Sequence, residues 1–375
     1  MKILFTGGGS GGHFYPIISI AEELNELCKQ NHLLKPELYF MAPEPYNEGL
    51  LFDHSITFKQ VSTGKLRRYF SILNFIDIFK TFFGAIHAVW VVFKIYPDVV
   101  FGKGGYASFP ALFAARILRI PVVIHESDTV PGKVNAWAGK FAQKIAVSYP
   151  ESAHFFPEGK TAYTGNPIRK EIMIPLSEGA HEYLKLEQNV PVVFILGGSQ
   201  GAKIINETIM SALPNLVSKY QIIHQVGKKN IATVKETAKI VIENNPHKDR
   251  YKPFDYLNVI SMRMAAGAAD VVISRAGSTI FEIASWAVPS IIIPITNSNG
   301  DHQKRNAYAY NRAGACVVIE EKNLTGNILI SEVDRIIAST AEKEAMKKAA
   351  TEFSRRDAST LIAKEILAIA LSHEK

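Results

Sequence analysis

The chain has 375 residues, 47% of them apolar and 21% charged, with a net charge of +7. This length exceeds what one hydrophobic core usually supports, so we expect a globular protein of two domains. Its two cysteines, Cys28 and Cys316, lie far apart in neither a metal-binding nor a redox spacing, which excludes those motifs and fits a reducing compartment. Met1 and Lys2 run straight into a strand without a signal peptide, and a cytosolic protein is predicted.

Positive charge is concentrated between Gly64 and Arg119, where the chain has eight basic residues and two acidic ones. Such an excess indicates nucleic acid, an anionic membrane or acidic substrates as partners. Aromatic and branched apolar residues lie among these charges, and the longest uncharged run, Thr81 to Phe93, is shorter than the roughly 20 residues that span a bilayer. The segment therefore predicts either attachment to a membrane surface without a transmembrane span, or aromatic packing within a helical hairpin.

The first half of the chain alternates strand and helix patterns, which predicts an α/β fold with a doubly wound parallel sheet. A strand at 3–6 runs into a glycine loop at 7–12, followed by a helix at 16–30 and a strand at 38–41. Helices near 71–95 precede a strand at 98–101, a helix at 108–117, and strands at 121–124 and 144–147. Ligands of such sheets bind at the carboxyl ends of the strands.

The first glycine loop has Gly7, Gly9 and Gly12 at the G-x-G-x-x-G spacing of dinucleotide-binding proteins. Glycine lets backbone N–H groups approach an anion, and the N-terminus of the following helix adds positive charge, so any diphosphate would suit this loop. The alternative is a simple turn between strand and helix that binds no ligand.

Two further loops are expected to converge on the first at the same edge of the sheet. One is a second glycine loop at 102–105, for which a tight turn is the alternative, and the other begins with His125 and Glu126. Burying these two side chains without partners would be costly, which favours a functional role for both.

The segment 157–169 contains Pro, Gly and Asn and no apolar period, so we place a domain boundary there, between a first domain at 1–163 and a second at 164–354. The second domain repeats the alternation, with strands at 191–196, 221–225, near 258–261, 270–274 and 290–293, and helices at 203–212, 230–244, 263–268 and 279–287. An apolar helix at 361–371, within the final segment 355–375, could close the second core or return to the first domain.

The second domain has residue types that suit a nucleotide sugar. Residues 277–279, Gly-Ser-Thr, begin a helix and can hold a diphosphate, while Glu282, one turn further on, can accept both hydroxyls of a ribose. Gln303 and Asn306 lie three residues apart near another helix start and could offer amide hydrogen bonds to sugar hydroxyls.

Seven motifs, taken together and in this order, resemble the MurG family of glycosyltransferases. They are GGGSGGHFYP (7–16), PDVVFGKGGYASFP (97–110), IPVVIHES (120–127), GNPIR (165–169), GGSQGA (197–202), SRAG with a later Glu (274–282) and HQKRNA (302–307). The resemblance implies the GT-B fold, in which two Rossmann-like doubly wound domains face each other across a cleft. It also implies transfer of N-acetylglucosamine from UDP-N-acetylglucosamine to the undecaprenyl-linked muramoyl-pentapeptide, lipid I, to give lipid II for peptidoglycan synthesis.

The resemblance further implies roles for individual residues. UDP-N-acetylglucosamine would be bound by Ser10, Gly11, Gly12, Asp128, Arg169, Ser199, Val259, Ile260, Ser278, Thr279, Glu282 and Gln303. The acceptor diphosphate would be bound by Gly9, Gly104, Gly105, Tyr106 and His125. The patch between Lys65 and Phe93 would dock on the anionic cytoplasmic face of the cell membrane as a peripheral protein, and no nucleic acid partner is expected. The family often has asparagine where this chain has Asp128, which replaces an amide donor by an acceptor.

Enzymes of this kind invert the sugar configuration, because the acceptor O4 displaces UDP in one step. This step needs a base and a stabilised leaving diphosphate. His13 fits the first task, since imidazole is half protonated near neutral pH, and Glu126 is the second candidate, while a helix-capping role is the alternative for His13. The helix N-terminus, Arg169 and Ser199 fit the second task. The chain has no Asp-x-Asp sequence to hold Mg²⁺, so we expect neither a metal nor another cofactor.

Three other functions stay open. A nucleotide-dependent dehydrogenase explains the first loop, but the acidic residue it needs is missing, because the second strand ends in Phe40-Met41-Ala42-Pro43. A GT-B glycosyltransferase acting on another lipid, such as diacylglycerol, would share the donor loops. A non-catalytic sugar-nucleotide binding protein would share the donor site but would transfer nothing.

Overall fold

The computed structural model describes residues 1–64, 72–197, 202–296 and 299–372. The chain divides into two compact units, unit 1 with Met1–Arg169 and Arg355–Lys375, and unit 2 with Lys170–Ser354. The boundary expected between residues 163 and 164 lies slightly too early. The carbonyls of Gly165 and Ile168 are held by side chains of unit 1, which keeps this short segment with the first domain.

Unit 1 is built on a parallel sheet, with seven strands among its described residues. The strands are β1 (Lys2–Thr6), β2 (Glu37–Ala42), β3 (Ile56–Gln60), β4 (Val99–Gly102), β5 (Val122–Glu126), β6 (Lys144–Val147) and β7 (Thr161–Tyr163). The helices are α1 (Gly11–Gln30), α2 (Glu48–Asp53), α3 (Ile72–Ile95), α4 (Phe109–Ile117), α5 (Lys133–Ala138) and, from the end of the chain, α15 (Ala358–Leu371). The strand order is β3-β2-β1-β4-β5-β6-β7, which is doubly wound as predicted.

Unit 2 repeats this architecture with six described parallel strands in the order β10-β9-β8-β11-β12-β13. The strands are β8 (Val192–Leu196), β9 (Gln221–Gln225), β10 (Tyr251–Phe254), β11 (Val271–Ser274), β12 (Ser290–Ile292) and β13 (Cys316–Val318). The helices are α6 (Lys170–Met173), α7 (Ala180–Tyr183), α8 (Lys203–Lys219), α9 (Ile231–Val241), α10 (Val259–Ala268), α11 (Thr279–Trp286), α12 (His302–Arg312), α13 (Gly326–Ala338) and α14 (Thr340–Phe353).

Both sheets are apolar on their two faces, because alternate side chains of each strand enter different cores. In β1, Ile3 and Phe5 pack in the core under α1 and α15, whereas Leu4 packs in the core on the α4 side. In β8, the neighbouring side chains of Val193 and Phe194 likewise pack in two different cores of unit 2. This two-sided burial explains why the strands read as continuous apolar runs.

The strand register brings the functional loops together within each unit. In unit 1, Thr6 pairs with Gly102 and Gly102 pairs with Ile124. The carboxyl ends of β1, β4 and β5 therefore lie side by side. In unit 2, Ser274 pairs with both Leu196 and Ile292. The loops that follow β8, β11 and β12 therefore also lie side by side, at the carboxyl ends of these strands.

Three predicted elements differ from the structure. Helix α1 begins at Gly11 rather than at residue 16, so Pro16 lies inside it and leaves the Gly12 carbonyl without the usual intrahelical N–H. The strand predicted near 258–261 is wrong, because Val259 begins α10, and the strand of this region is β10. The segment 71–95, for which helices were expected, forms the single helix α3 over its described part.

The C-terminal helix α15 returns to unit 1, which resolves the alternative left open by its sequence. Ile362, Ile366 and Ile369 are buried in the core that also contains residues of α1. The hydroxyls of Ser19 and Ser359 lie 2.7 Å apart in a buried contact between the two helices. Among the described helices of the whole chain, none has the length and apolar content needed to cross a bilayer.

Candidate active site

The first glycine loop places His13 in the first turn of α1. The Ser10 carbonyl accepts the N–H groups of His13 and Phe14 at 3.1 and 3.2 Å, which starts the helix. The Ser10 side chain makes no capping hydrogen bond to the backbone, and its Oγ lies 2.9 Å from His13 Nδ1 instead. The first-turn N–H groups of Gly11 and Gly12 are therefore not capped by this side chain, and such groups at a helix N-terminus can donate to an anion.

The two ring nitrogens of His13 have different neighbours. Nδ1 contacts Ser10, whereas Nε2 lies beside Gly105, where an added Cβ would come within 3.5 Å of it. A lone pair at Nε2 requires the proton on Nδ1, which would then donate to Ser10 Oγ. The Ser10 hydroxyl can accept this proton, so the contact is compatible with a ring whose Nε2 accepts a proton from substrate.

The second glycine loop packs directly on the first, which confirms the predicted convergence of the two loops. Gly104 and Gly105 have φ angles of +90° and +79°, and Gly9 has +89°, a region that side chains disfavour. A Cβ on Gly9 would lie 3.1 Å from the Tyr106 ring, and a Cβ on Gly105 would lie 3.2 Å from the Gly8 carbonyl oxygen. Only glycine allows the two backbones to approach this closely.

Glu126, the second candidate base, holds a loop together. Its Oε1 accepts the Asp128 N–H at 3.0 Å, and its Oε2 accepts the Gly132 N–H at 3.1 Å and Asn135 Nδ2–H at 2.9 Å. The side chain is almost fully buried. Burial raises the pKa of Glu126, and the nearby Asp128 charge raises it further, while the hydrogen bonds from the Asp128 N–H and the Asn135 amide, and the Lys103 charge, act in the opposite direction. Taking up a substrate proton would weaken the loop, so the contacts favour a role in holding the half-buried Asp128 in place.

His125 lies below the loops rather than on their surface, so the predicted direct contact with a diphosphate is corrected. Its side chain is fully buried, and Nε2 lies 3.0 Å from the Gly165 carbonyl oxygen and 3.1 Å from Ser148 Oγ. Burial, and then the nearby Lys103 charge, lower the pKa of His125 well below its usual value. A buried neutral ring positions Gly165 but cannot reach a charged ligand.

Lys103 is a site residue that the sequence reasoning missed, because it was counted only within the basic patch. The structure buries it to 1% exposure at the end of β4, with its Nζ 3.4 Å from Asn166 Oδ1. A lysine between two glycines directly after a buried strand is the signal that could have revealed it.

Arg169 belongs to unit 1, although the prediction gave it to the second domain. Its guanidinium carbon lies 4.0 Å from the centre of the Tyr15 ring, in the helix that also carries His13. This cation–π contact holds the Arg169 side chain against α1, the helix that follows the first glycine loop. Ser199, by contrast, lies outside the described residues, as do Lys65, Arg67 and Arg68.

In unit 2, the predicted donor residues lie at the starts of two helices. Ser278 precedes α11, Glu282 lies in its first turn, and nothing is within 4 Å of a Cβ added to Gly277. Val259 and Ile260 begin α10, where Asn258 Oδ1 accepts the Ser261 N–H at 2.9 Å. The N–H groups of the first turn have no intrahelical acceptor, so those of Val259 and Ile260 suit the carbonyl groups of a nucleobase.

The surrounding contacts hold these loops in place. Asn306 is 1% exposed and its Nδ2 lies 3.3 Å from the Ala276 carbonyl oxygen, so it supports the loop before α11 and the predicted contact with a sugar hydroxyl is corrected. Arg275 Nη2 donates to Glu321 Oε1 at 2.6 Å, and Glu321 Oε2 accepts the Thr296 N–H at 3.0 Å. Half-buried Gln303 accepts the Ile295 N–H through its Oε1 at 3.2 Å.

Comparison with known proteins agrees with this architecture. Residues 3–147 match the N-terminal domain of glycosyltransferase family 28, and residues 192–362 match its C-terminal domain. The chain belongs to glycosyltransferase family 28. This family membership makes it an enzyme, and it confirms the resemblance seen in the seven motifs.

Two relatives of this glycosyltransferase carry the name UDP-N-acetylglucosamine–N-acetylmuramyl-(pentapeptide) pyrophosphoryl-undecaprenol N-acetylglucosamine transferase. The one from Bacillus thuringiensis subsp. konkukian, numbered 2, is 38% identical over 351 residues, covering 92% of this chain and 95% of its own. The one from Clostridium novyi is 36% identical over 340 residues, covering 89% and 90%.

Solved structures show the same fold. MurG of Acinetobacter baumannii superposes with a TM-score of 0.72 at 24% identity, covering 98% of this family 28 chain and 99% of its own. UDP-GlcNAc 2-epimerase of Neisseria meningitidis gives 0.70 at 16% identity, covering 98% and 100%. At these identities the likeness concerns the fold alone.

Proposed function

We propose that this chain transfers N-acetylglucosamine from UDP-N-acetylglucosamine to the muramoyl-pentapeptide of undecaprenyl-linked lipid I, giving lipid II. The observation that carries the proposal is the pairing of His13 with Ser10 beside Gly105, in a chain 38% identical over 92% of its length to a transferase named for this reaction. A glycine turn without a ligand would need neither an oriented histidine nor three glycines with positive φ angles.

Unit 1 binds the acceptor and supplies the base. Backbone N–H groups of the two glycine loops and the N-terminus of α1 bind the acceptor diphosphate. His13 Nε2 accepts the proton of the muramoyl O4 as that oxygen bonds to the anomeric carbon of the donor. This step uses the tautomer with the proton on Nδ1, and that proton can be donated to Ser10 Oγ.

Unit 2 binds the donor. The N-terminus of α11, with Ser278 and Thr279, binds the UDP diphosphate, and Glu282 accepts the ribose hydroxyls. The first-turn N–H groups of α10 bind uracil, and Gln303 binds the sugar. The negative charge that develops on the leaving UDP is stabilised by the helix N-terminus, so addition of EDTA should leave the rate unchanged.

The exposed side of α3 supports attachment to a membrane surface. An aromatic stripe along this side consists of Phe79, Phe82, Phe83, Trp90 and Phe93, which together with Ile86 are between 48% and 64% exposed. The opposite side of the helix is buried, with Ala85, Ala88 and Val92 in or against the core of unit 1. Water-exposed aromatic residues next to a basic segment are typical of peripheral membrane helices.

Two cations at the ends of the stripe fit the same role. Lys80 is exposed, and Lys94 Nζ lies 3.6 Å from the centre of the Trp90 ring. Both can contact lipid phosphates while the rings enter the interface. We therefore propose that unit 1 sits on the cytoplasmic face of the cell membrane, where an undecaprenyl-linked acceptor is found.

The test is an assay with UDP-N-acetylglucosamine and a short-chain analogue of lipid I, followed by mass spectrometry of the product. We expect a disaccharide product that carries one added N-acetylhexosamine. Diacylglycerol serves as the competing acceptor in a parallel reaction. Transfer to diacylglycerol without transfer to the lipid I analogue, or no transfer to either, would refute the proposed reaction.

A further inference from the structure

The segment that follows β12, residues 293–296, uses two consecutive N–H groups to bind two different elements of unit 2. The Ile295 N–H donates to Gln303 Oε1 at 3.2 Å. The next N–H, that of Thr296, donates to Glu321 Oε2 at 3.0 Å. Gln303 lies in the first turn of α12, whereas Glu321 begins a short 3₁₀ turn after β13. The segment therefore connects the helix that carries the proposed sugar-binding residue with the end of β13.

The Glu321 carboxylate holds this segment at both ends, because each of its oxygens accepts hydrogen bonds. Oε2 also accepts the Thr296 hydroxyl at 2.9 Å, and Oε1 accepts Arg275 Nη2–H at 2.6 Å. Arg275 Nη1 in turn donates to the Ile293 carbonyl at 3.2 Å. The Arg275 and Glu321 side chains are only 14% and 10% exposed, so solvent and salt screen this ion pair little. Glu321 thus fixes residue 296 directly and residue 293 through the arginine.

The Ile295 N–H determines how the Gln303 amide is oriented. A backbone N–H can only donate, so the end of the amide that faces it is the oxygen. Displacement of residue 295 would remove this constraint and allow the amide to rotate about the last bond of its side chain. Residue 295 is bonded to Thr296, whose position depends on Glu321. The orientation of Gln303 therefore depends on a carboxylate eighteen positions further along the chain.

We propose that Glu321 is a positioning residue for the sugar side of the donor site, because it fixes the segment whose Ile295 N–H orients Gln303. This inference rests on the proposed function, in which Gln303 binds the N-acetylglucosamine of the donor. It assigns Glu321 no contact with the donor, since protein groups occupy both carboxylate oxygens. Loss of Glu321 should therefore weaken binding of UDP-N-acetylglucosamine but not of UDP, which lacks the sugar.

The experiment compares the Kd values of UDP-N-acetylglucosamine and UDP by isothermal titration calorimetry. Glu321→Gln keeps the shape of the side chain and removes its charge, whereas Thr296→Val removes only one hydroxyl and leaves the ion pair with Arg275. We expect the Kd of UDP-N-acetylglucosamine to rise about tenfold in Glu321→Gln and about threefold in Thr296→Val, in the range of the net contribution of a hydrogen bond. The Kd of UDP should change less than about twofold in both variants.

A double-mutant cycle shows whether Glu321 acts through Gln303. The combined variant of Glu321→Gln and Gln303→Ala should bind UDP-N-acetylglucosamine within about twofold of Gln303→Ala alone, because two changes that remove one interaction are not additive. Glu187→Gln is the matched control. Glu187 forms an ion pair with Arg250 at 2.8 Å, but the two residues precede β8 and β10 and so lie at the amino ends of the strands. This control should change neither Kd.

A carboxylate that merely stabilises unit 2 would not distinguish the two ligands. An unchanged Kd of UDP-N-acetylglucosamine in both Glu321→Gln and Thr296→Val, equal weakening of both ligands, or additive losses in the combined variant would overturn the inference. If Glu321→Gln does not fold, Thr296→Val gives the same comparison with the ion pair intact. The assay with the lipid I analogue tests the proposed function separately. A wild-type protein that binds UDP-N-acetylglucosamine but transfers nothing would refute that reaction, while the Kd values would still decide the role of Glu321.

Discussion

The His13 ring shows how two neighbours can prepare one residue for proton transfer. Ser10 binds one nitrogen at 2.9 Å, and the missing side chain of Gly105 leaves room beside the other. Both neighbours come from backbone turns that glycine makes possible. The reactivity of this residue therefore depends on the two loops as much as on the imidazole itself.

Replacing His13 by alanine should lower kcat by about 10²- to 10⁴-fold, because a positioned general base contributes that much to a rate. KM for both substrates should change little, and so should the free energy of unfolding, since the ring is only half buried. Steady-state kinetics with both substrates check this prediction. His154→Ala, which removes an exposed histidine of the same unit, is the control. A fall in kcat of less than tenfold would rule out His13 as the base.

Gly105→Ala should lower activity by obstructing the space beside His13. The backbone strain of a side chain at φ +79° should cost about 1–2 kcal/mol of stability. Gly159→Ala is a matched control, because Gly159 has φ +76° and nothing lies within 4 Å of an added Cβ. Urea unfolding should show the loss from backbone strain in both variants and a further loss in Gly105→Ala, whose Cβ would lie 3.2 Å from the Gly8 carbonyl oxygen, whereas only Gly105→Ala should lose kcat. Equal activity in the two variants would contradict the assigned geometry.

The sequence predicted which loops gather at the carboxyl ends of the strands but not the direction of each side chain. His125, Glu126 and Asn306 were predicted as ligand or base residues, and the structure shows each of them in contact with a backbone segment. Whether a polar side chain at a strand or helix end points outward or into the protein depends on its neighbours from distant parts of the chain. Lys103 was missed for the same reason, since its partner Asn166 lies in the linker after β7.

At the scale of secondary structure, helix α3 combines two opposite faces. Its small buried residues allow a close approach, because a Cβ on Gly84 would collide with the Ser62 carbonyl oxygen. Its other face carries the aromatic stripe. A helix that is fixed tightly on one side can present the other side as a rigid surface.

Replacing Phe83 and Trp90 together by serine should weaken binding to phosphatidylglycerol-containing vesicles at least tenfold, since burying one aromatic ring contributes about 1.5–3 kcal/mol. Vesicle co-sedimentation at low and high salt measures this effect. Removing the charges of Lys65, Arg67 and Arg68 should weaken binding at low salt only.

The control for this pair is Phe52→Ser with Phe155→Ser, which removes two exposed aromatic residues outside α3. These substitutions should leave vesicle binding unchanged. Equal loss in both pairs, or binding that is indifferent to salt and to all substitutions, would show that the stripe is not a docking surface.

The alternation of strands and helices was predictable because strands buried on both faces are continuous apolar runs. The short elements were harder to predict. The apolar residues near 258–261 suggested a strand, but Asn258 caps a helix there, and Tyr251–Phe254 forms the strand although it contains a proline. This proline is tolerated because β10 is an edge strand that pairs with β9 alone among the described strands.

At the scale of the whole molecule, stability should depend on a buried histidine in the sheet of unit 2. His224 in β9 is fully buried, with Nδ1 3.0 Å from the Tyr251 hydroxyl and Nε2 3.1 Å from Asn206 Oδ1. Asn206 Nδ2 donates to the Val226 carbonyl, so Oδ1 must accept the Nε2 proton. The ring is therefore neutral and both nitrogens are satisfied.

Burial lowers the pKa of His224 from 6.5 to about 3, so unfolding at acid pH is accompanied by proton uptake. Stability should fall as the pH drops from about 6.5 toward 3, by an amount on the order of a few kcal/mol at the lower end. This dependence is measured by urea unfolding at a series of pH values between 7.5 and 4, followed by a signal that reports on unit 2. His224→Phe should be less stable at pH 7.5 and should show a shallower dependence. An unchanged slope would exclude His224 as a source of acid sensitivity.

The return of α15 to unit 1 has a consequence for the order in which a growing chain can fold. Residues 362–370 complete the core that begins with Ile3 and Phe5. All of unit 2 must therefore be synthesised before the core of the first domain can be completed, although the first domain begins to emerge from the ribosome earlier. During synthesis, the exposed core residues of the nascent first domain would need protection for longer than those of the second. A stop codon near residue 355 would thus damage the domain that was translated earliest and spare the one translated last.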